Sequence, residues 1–473
     1  MGPNALCNLT IAQASALIGS GDLSPVELVD AHLGRIAATN EGLNTVITVL
    51  EKEARAAAKS AEAEIAAGTH RRPLHGIPIG LKDLVYTKNI RTTQGSDVWK
   101  DFVPDYDATI VTKFDDAGAI TLAKTHLNEF AMGATGENRT FGPARNPWNT
   151  TRMTGGSSSG SAAGLAARQF MGAIGSDTGG SVRIPASLCG IVGLKPTFGR
   201  VSRRGIFPMS WSLDTVGPMA RTVEDTALMM NAIGGHDPLD TASSRHPHED
   251  YTSKLGHDVK GLRVGIPRKF LFDVIDPQVE AAVLEAAKVL EGLGAIVEEV
   301  VIPYIEYSRP IGMFISNVEG ADLHRETLKN NPESIDPEAL SRLDPGLFIT
   351  GGQYVRAQRA RAFFNQQVFD AMKNVDIFLM QATPVAATPI GQDEIQVGEE
   401  TMQRLSVMTH TSRPFNLCGF PAIVQPCGFT SENLPIGLQL VGRPFEDTTV
   451  LQIAHAYEHA TEWHQRRPKL DLA

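Results

Sequence analysis

The sequence predicts an α/β fold in which helices cover both faces of a large β-sheet. Three observations lead to this prediction. Strand-like apolar segments alternate with amphipathic helical segments along most of the chain. Residues 261–303 predict a strand, a helix and a second strand, which is the pattern of a βαβ unit. Residues 375–384 and 421–428 are apolar without alternation, as strands are when both faces of a sheet are covered.

The N-terminal part of the chain is predicted to be helical before the sheet begins. Three helices fall within residues 9–67. The second starts at a capping box, in which Ser24 is the cap, Pro25 takes the first helical position and a glutamate lies three residues after the cap. Residues 75–85 predict a strand that enters a turn, and residues 108–127 predict a helix, a glycine and a strand.

The rest of the chain continues the alternation. Residues 150–235 contain two Gly/Ser-rich blocks and then a helix capped by Thr222. Residues 310–375 are predicted to be mostly helical, and residues 448–461 predict a closing helix. Because no stretch resembles a flexible linker, we expect a single domain over residues 1–473.

Composition excludes several classes of function. The formal net charge is −10 and no dense basic cluster is present, which argues against nucleic-acid and acidic-membrane partners. The four cysteines form no CxxC pair and the histidines have no zinc-site spacing, so we expect no metal and no cofactor. The small number of cysteines is consistent with a reducing compartment. The sequence predicts no signal peptide and no apolar run of roughly 18 residues, so a cytoplasmic protein is expected.

Residues 153–196 are the most informative stretch of the chain. Glycine and serine crowd into two blocks, 155–161 and 175–181, which apolar, helix-competent sequence flanks. Glycines inside packed sequence mark backbone that turns tightly or closely approaches a ligand. In the second block, the consecutive backbone N–H groups from Thr178 to Ser181 could hold an oxyanion, with the Ser181 hydroxyl as the attacking group.

Two other interpretations of these blocks are weaker. The string GSSSG at 156–160 matches a nucleophile elbow with Ser158 as nucleophile, but an elbow follows a strand, and residues 144–156 do not predict one. The histidines that would complete a triad, His455 and His459, fall on a predicted helix, where a packing or surface role is usual. The second block lacks the G-K-[ST] ending of a phosphate-binding loop.

A nucleophilic serine needs a base, and the sequence offers Lys82 for that role. Lys82 lies in the apolar segment 75–85, whereas most other lysines lie in polar helices. Burial lowers the pKa of a lysine, and serine–lysine variants of hydrolytic triads exist. The alternative is an exposed Lys82–Asp83 pair, which the residues alone favour because lysines are mostly exposed.

Five strings make the chain similar to the amidase signature family. They are PLHGIPIGLKD around Lys82, NEFAMGATGENRTFGPARNPWN at 128–149, TGGSSSGSAA at 154–163, GSDTGGSVRIPASLCGIVGLKPTFGRVS at 175–202 and SLDTVGPMARTVED at 212–225. The strong part of the resemblance lies at 74–225, and weaker echoes extend it over most of the chain. The resemblance implies a three-layer α/β/α fold with a large, mixed, twisted β-sheet at its core. It also implies hydrolysis of a carboxamide C–N bond through an acyl-enzyme.

The resemblance further assigns roles to individual residues. Ser181 would be the acylated nucleophile, Ser157 the bridging serine that follows a cis peptide bond, and Lys82 the terminal base. The backbone N–H groups of the oxyanion hole would belong to Thr178, Gly179, Gly180 and Ser181. The side chains that brace the loops would be those of Ser158, Asp177 and Arg183.

The family contains both stand-alone amidases and the glutamine-hydrolysing subunit of tRNA-dependent amidotransferases. The resemblance implies that such subunits carry a Tyr-rich string like GYYDAYY and an acidic residue before the C-terminal Asn-Leu-x-Gly string. Residues 350–364 and 404–419 match neither feature, so a stand-alone amidase acting on a small-molecule amide is expected. The alternatives are an inactive scaffold, a hydrolase of carboxybiuret- or allophanate-type urea derivatives, and the amidotransferase subunit. A homodimer is left open.

The nature of the substrate rests on fewer residues. Met132 matches a position that lines the acyl pocket in the family, and Phe207, Met209 and Trp211 could form an apolar wall. Ordinary core packing is the alternative for these side chains. A charged substrate would need an arginine clamp, for which the candidates are Arg139, Arg145, Arg152, Arg203 and Arg204. None has a second feature that marks a clamp, so hydrophobic or aromatic amides are expected.

Overall fold

The computed structural model describes residues 2–71 and 73–470. Its strands are β1 (Val46–Val49), β2 (Pro78–Lys82), β3 (Ile120–Thr125), β4 (Arg145–Asn146), β5 (Asn149–Met153), β6 (Gly172–Asp177), β7 (Val192–Lys195), β8 (Thr215–Ala220), β9 (Arg263–Ile266), β10 (Ile296–Glu299), β11 (Ile377–Gln381), β12 (Glu394–Val397), β13 (Glu400–Gln403), β14 (Ala422–Phe429) and β15 (Pro435–Gly442).

The α-helices lie between and around these strands. They are α1 (Pro3–Leu6), α2 (Ile11–Ser20), α3 (Pro25–Leu43), α4 (Glu51–Ala66), α5 (Thr109–Asp116), α6 (Ser159–Ala166), α7 (Arg183–Cys189), α8 (Val223–Ile233), α9 (Pro277–Gly292), α10 (Ser308–Leu323), α11 (Arg325–Asn330), α12 (Pro337–Gly346), α13 (Gly351–Ala371), α14 (Arg404–Met408), α15 (Arg413–Leu417) and α16 (Asp447–His459). Among the described helices, none combines the length and the apolar character that a membrane crossing requires.

An 11-stranded mixed sheet organises the molecule, in the order β1-β3-β2-β6-β8-β7-β14-β15-β11-β9-β10. At one end, β2 runs parallel to both β3 and β6. At the other end, β9 runs parallel to β10 and β11, and its connection to β10 through α9 is the predicted βαβ unit. The strands between β6 and β11 pair antiparallel. The prediction of a large mixed sheet is confirmed.

The two faces of the sheet pack against different sets of helices. Consecutive residues of β6 show this, because successive side chains of a strand point to opposite faces. Ala173 packs in a core with Val29 of α3 and Ala54 of α4. Its neighbour Ile174 packs in a second core with Met229 of α8 and Val283 of α9. Helices therefore cover both faces, as predicted.

Local capping signals place the N-terminal helices. Ser24 caps α3 and Pro25 is its first residue, as predicted, while the Ser24 hydroxyl donates to Glu62 of α4. The capping box predicted at Ser24 occurs instead on α2, where Thr10 and Gln13 bond each other's backbone N–H groups. Either arrangement satisfies N–H groups that the first helical turn leaves without partners.

One local prediction is wrong. The sequence predicts no strand within residues 144–156, but β4 and β5 pair antiparallel there as a small sheet of two strands. The segment contains Asn, Pro and Gly, which favour turns, and only Met153 of β5 is buried. A polar hairpin of this kind lacks the apolar alternation on which a strand prediction depends.

Parallel pairing brings two predicted site segments to one edge of the sheet. Leu81 of β2 is in register with Ile174 of β6. Because the strands are parallel, their C-terminal residues, Lys82 and Asp177, lie at the same edge, where the two Gly/Ser-rich blocks meet. Ligands of α/β sheets commonly bind beyond the carboxyl ends of such strands.

Candidate active site

Lys82 lies at the centre of this edge and is fully buried. As the last residue of β2, it is held between β3 and β6. Its Nζ atom lies 2.7 Å from Ser157 Oγ, 3.0 Å from Ser158 Oγ and 2.9 Å from Ser176 Oγ. All three partners are hydroxyl groups, which can accept a hydrogen bond from an ammonium or donate one to a neutral amine.

Burial lowers the pKa of Lys82 to about 7, against the opposing effect of the negative charges of Asp177 and Asp214. A large fraction of the amine is therefore neutral near pH 7. A neutral amine can accept a proton from a serine hydroxyl, which an ammonium cannot.

The interpretation of Lys82 and Asp83 as an exposed pair is wrong. Both side chains are fully buried. Asp83 Oδ1 lies 3.5 Å from Lys124 Nζ on β3, and Asp83 Oδ2 accepts hydrogen bonds from the backbone N–H and the hydroxyl of Thr93. Asp83 and Lys82 thus belong to different networks.

The first Gly/Ser-rich block carries Ser157 and Ser158 over Lys82. The Gly156–Ser157 peptide bond is cis, as expected. A Cβ atom on Gly156 would lie 2.1 Å from Asn128 Oδ1, so only glycine fits there. The backbone N–H of Ser158 donates to the carbonyl of Ser181 at 3.2 Å, which joins the two blocks directly.

The arrangement does not match a nucleophile elbow at Ser158. The Ser158 hydroxyl contacts Lys82 and the backbone of Ser176, so these groups take the place that a triad histidine would occupy. The lack of a preceding strand is not a valid ground against the elbow, because β5 precedes the block. The lysine contact provides the better ground.

The second block forms a tight loop between β6 and α7. Gly180 has a φ of 130°, and a Cβ atom there would lie 2.2 Å from Ser412 Oγ. Ser181 follows at the mouth of the loop and is 7% exposed. Ser181 is therefore buried apart from a small accessible area.

Asp177 and Arg183 form an ion pair within this loop. Arg183 Nε and Nη2 each lie 2.9 Å from a carboxylate oxygen of Asp177, and both side chains are fully buried. Asp177 also accepts hydrogen bonds from the Val182 N–H and from the side-chain amide of Asn416. Burial raises the pKa of Asp177, but the Arg183 charge and these hydrogen bonds outweigh burial and hold that pKa well below its usual range.

One predicted oxyanion donor is already in use. The Gly180 N–H donates to Asp177 Oδ1 at 2.8 Å, so it is bound within the loop. Among the described residues, no acceptor is found for the N–H groups of Thr178, Gly179 or Ser181. The Thr178 hydroxyl donates to Asp214 at 2.5 Å, which fixes the start of the loop.

The three side chains predicted to contact substrate lie in different surroundings. Met132 and Phe207 are buried in the core, where the Phe207 ring stacks on Phe130. Trp211 is 62% exposed on the surface. Their contact with substrate remains a prediction.

The five arginines considered as substrate clamps bind other groups. Arg139 and Arg145 donate to main-chain carbonyl groups. Arg152 and Arg203 pair with carboxylates, and Arg204 donates to a carbonyl group and stacks on a tyrosine ring. These contacts fit loop bracing.

Sequence analysis missed several residues of the site. Ser176 contacts Lys82, and Asn416 contacts Asp177. Arg413 lies against Gly179, since a Cβ atom on that glycine would be 3.2 Å from Arg413 Nη2. Asn416 and Arg413 lie more than 230 residues after the loop that they contact, so no local spacing could indicate them. Ser176 immediately precedes Asp177 in the second block, where the strand prediction could have placed it beside Lys82.

Comparison with known proteins agrees with this geometry. The Amidase family profile matches residues 27–451. The chain belongs to the amidase family. As a member, it is a hydrolase that acts on amide C–N bonds.

The names of the proteins similar to this amidase describe different functions. The A subunit of the glutamyl-tRNA(Gln) amidotransferase of Geobacter metallireducens is 42% identical over 98% of this chain and 99% of its own. The structure of the corresponding A subunit from Thermotoga maritima is 33% identical with a TM-score of 0.81, over 96% of this chain and 95% of its own.

A third relative comes from a vestigial protein complex, which is described as revealing the evolutionary origins of an s-triazine catabolic enzyme. It is 34% identical with a TM-score of 0.93, over 98% of this chain and 100% of its own. The identities do not support the expectation that this amidase stands closer to stand-alone amidases than to the amidotransferase A subunits.

Proposed function

We propose that the chain hydrolyses its amide substrate through an acyl-enzyme on Ser181, with Lys82 as the base and Ser157 as the proton carrier between them. The observation that carries this proposal is the environment of Lys82. A fully buried amine with a lowered pKa is surrounded by hydroxyl groups, and the nearest of them, Ser157 Oγ, is 2.7 Å away.

Each step of the reaction moves protons along the same relay of Lys82, Ser157 and Ser181. Neutral Lys82 takes the proton of Ser157, Ser157 takes the proton of Ser181, and Ser181 Oγ forms a bond to the substrate carbonyl carbon. The C–N bond then breaks, while Ser157 returns a proton to the leaving nitrogen and Lys82 reprotonates Ser157. Water repeats the sequence on the ester, releases the carboxylate and restores Ser181.

Backbone N–H groups stabilise the negative charge on the carbonyl oxygen during both steps. The N–H groups of Thr178, Gly179 and Ser181 are the donors for this role, because the Gly180 N–H is bound to Asp177. Asp177, Arg183 and Asp214 act on this site by holding the loop rather than by touching the substrate. Fixed donors of this type cost no reorganisation when the charge develops.

Two settings of this chemistry are supported by different observations. The 42% identity to an amidotransferase A subunit favours glutamine as substrate and a partner protein as acceptor of the ammonia. Residues 404–419 contain no Asp or Glu before the Asn-Leu-x-Gly string, which favours a small-molecule amide instead.

Ammonia release by the purified chain tests the proposal and separates the settings. We expect hydrolysis of glutamine or of a small amide to be abolished by Ser181→Ala and retained in Ser187→Ala, a buried serine of α7 that serves as the matched control. Glutamine hydrolysis that appears only with added amidotransferase partners would support the first setting. Full activity of Ser181→Ala would refute the acyl-enzyme.

A further inference from the structure

Arg413 is a buried cation next to the candidate active site, and its Nε has no hydrogen-bond partner among the described residues. It is the first residue of α15 and only 4% exposed. Its guanidinium packs between Gly179 of the oxyanion loop and Gly312 of α10, where added Cβ atoms would lie 3.2 Å from Nη2 and 3.4 Å from Nη1. The neighbouring Ser412 hydroxyl donates to the Gly179 carbonyl at 2.6 Å, so α15 is fastened to that loop.

No carboxylate within the described chain pairs with Arg413. Its Nε is buried without a hydrogen-bond partner, and neither Nη atom forms a hydrogen bond or an ion pair with a described residue. By contrast, the buried Arg183 pairs with Asp177, and the buried Arg200 pairs with Glu249. A buried cation without a partner is unfavourable, so its retention beside a catalytic loop calls for a ligand that supplies the missing charge.

The surrounding charges increase the demand for an anion. Burial lowers the pKa of Arg413 to about 9, and the positive charges of Arg342 on α12 and Arg309 on α10 act in the same direction. Arg342 is also buried. Burial lowers its pKa, and the negative charge of Glu338, one turn away on α12, acts in the opposite direction. An anion bound at Arg413 would therefore also be attracted by the positive charges of Arg342 and Arg309.

We infer that Arg413 binds a carboxylate of the substrate and thereby selects short amides that carry one. Arg is suited to this role because its planar guanidinium matches a carboxylate with two parallel hydrogen bonds. The inference rests on the proposed function, since it takes Ser181 as the attacking residue. It replaces the expectation of hydrophobic or aromatic substrates.

The position of Gly179 limits the length of the substrate. Gly179 is two residues before Ser181, and two residues of extended chain span at most about 7 Å. A carboxylate at Arg413 and a carbonyl carbon at Ser181 would therefore be separated by only a few bonds. Monoamides of short dicarboxylic acids, N-carboxylated ureas and glutamine all share this chemistry.

Matched substrate pairs test the inference. Succinamate and succinamide differ only in a carboxylate that replaces a carboxamide. We expect wild-type kcat/KM for succinamate to exceed that for succinamide by about 10²-fold, and Arg413→Met to remove this preference, because truncating one partner of a buried charge pair costs on this scale. The rate on succinamide, which has no carboxylate to bind, should fall far less than the rate on succinamate. Arg413→Lys keeps the charge, so its preference for succinamate over succinamide should lie between those of wild type and Arg413→Met.

Glutamine is the second arm of the experiment. If Arg413→Met lowers kcat/KM for glutamine as well as for succinamate, the site also binds the carboxylate of an amino acid. If only the value for succinamate falls, the site binds the carboxylate of a simple dicarboxylic monoamide. Both results support the inference, and they identify the source of the carboxylate.

Thermal unfolding distinguishes carboxylate binding by Arg413 from a purely structural role of this residue. Arg413→Met removes an unpaired cation and should leave Tm unchanged or higher, whereas the control Arg200→Met breaks an ion pair and should lower it. Succinate should raise the Tm of wild type and not that of Arg413→Met. Equal turnover of succinamate and succinamide by wild type, or a preference that Arg413→Met leaves intact, would overturn the inference. Covalent labelling of Ser181 in the same preparation would show that the proposed function still stands.

Discussion

Lys82 and Lys124 lie on the neighbouring strands β2 and β3, and both are fully buried, yet their surroundings differ in kind. Lys124 Nζ lies 3.5 Å from Asp83 and donates to the Val85 carbonyl at 2.5 Å. Lys82 has only hydroxyl partners within hydrogen-bond distance.

The difference shows how the same residue type serves structure and chemistry in one sheet. A lysine next to a carboxylate stays charged and joins two segments, whereas a lysine among hydroxyls can lose its proton at modest cost. Burial lowers the pKa of Lys124 to about 8 against the opposing charge of Asp83, and lowers that of Lys82 to about 7. Four experiments test this difference between the two lysines.

Replacing Lys82 should have the largest effect on turnover. Lys82→Met keeps the bulk of the side chain but removes the base, so we expect kcat to fall about 10⁴-fold, as losses of single triad members do. Tm should not fall, because an amine without a carboxylate partner is removed. Kinetics and thermal unfolding of the same preparation check both. A variant that retains more than a tenth of wild-type kcat would rule out Lys82 as the base.

Replacing Lys124 should affect stability instead. Lys124→Met leaves Asp83 buried without a cation, so the free energy of unfolding should fall by about 3–5 kcal/mol. Denaturant titration measures this loss. The double variant Lys124→Met/Asp83→Asn should recover part of it because the unpaired charge is gone. Below the unfolding temperature, kcat should stay within about tenfold of wild type, and a far larger drop would erase the distinction between the two lysines.

The pH dependence of turnover also distinguishes the two lysines. Lys82 acts as a base only when neutral, so kcat/KM should rise as pH increases through about 7 and should drop about tenfold per pH unit below that value. A limb centred near 8 that disappears in Lys124→Met would instead assign the titration to Lys124.

Replacing both Lys82 and Ser157 should lower activity little more than replacing one of them. If Lys82 and Ser157 act as one unit, Lys82→Ala/Ser157→Ala should be within about tenfold of the worse single variant. Near-additive losses in a double-mutant cycle would mean that the two residues act independently.

Local sequence was sufficient for much of the fold and for the segments that carry the proposed triad. Apolar flanks placed Lys82 in a strand, and the family resemblance assigned Ser157 and Ser181 to the loops that the structure joins through Ser158 N–H. Residue propensity alone would have placed Lys82 on the surface, because it weighs the cost of burying a lysine without knowing the hydroxyls around it.

The remainder depends on contacts between distant parts of the chain. Arg413 reaches Gly179 only because α15 packs on the loop after β6, and Asn416 follows it to Asp177. The Gly180 N–H could not be excluded as an oxyanion donor from sequence, since its bond to Asp177 depends on the loop conformation. The β4–β5 hairpin lacks apolar alternation and so gave no signal.

Covalent labelling tests directly whether Ser181 is the activated nucleophile and Lys82 its base. A fluorophosphonate probe that phosphorylates activated serines should modify the protein once, and peptide mass mapping should place the adduct on Ser181. Labelling should be lost in Ser181→Ala and should be slowed at least about 10³-fold in Lys82→Met, while Lys124→Met should label at close to the wild-type rate. An adduct on Ser157, Ser158 or another serine, or equal labelling rates in the two lysine variants, would contradict the account.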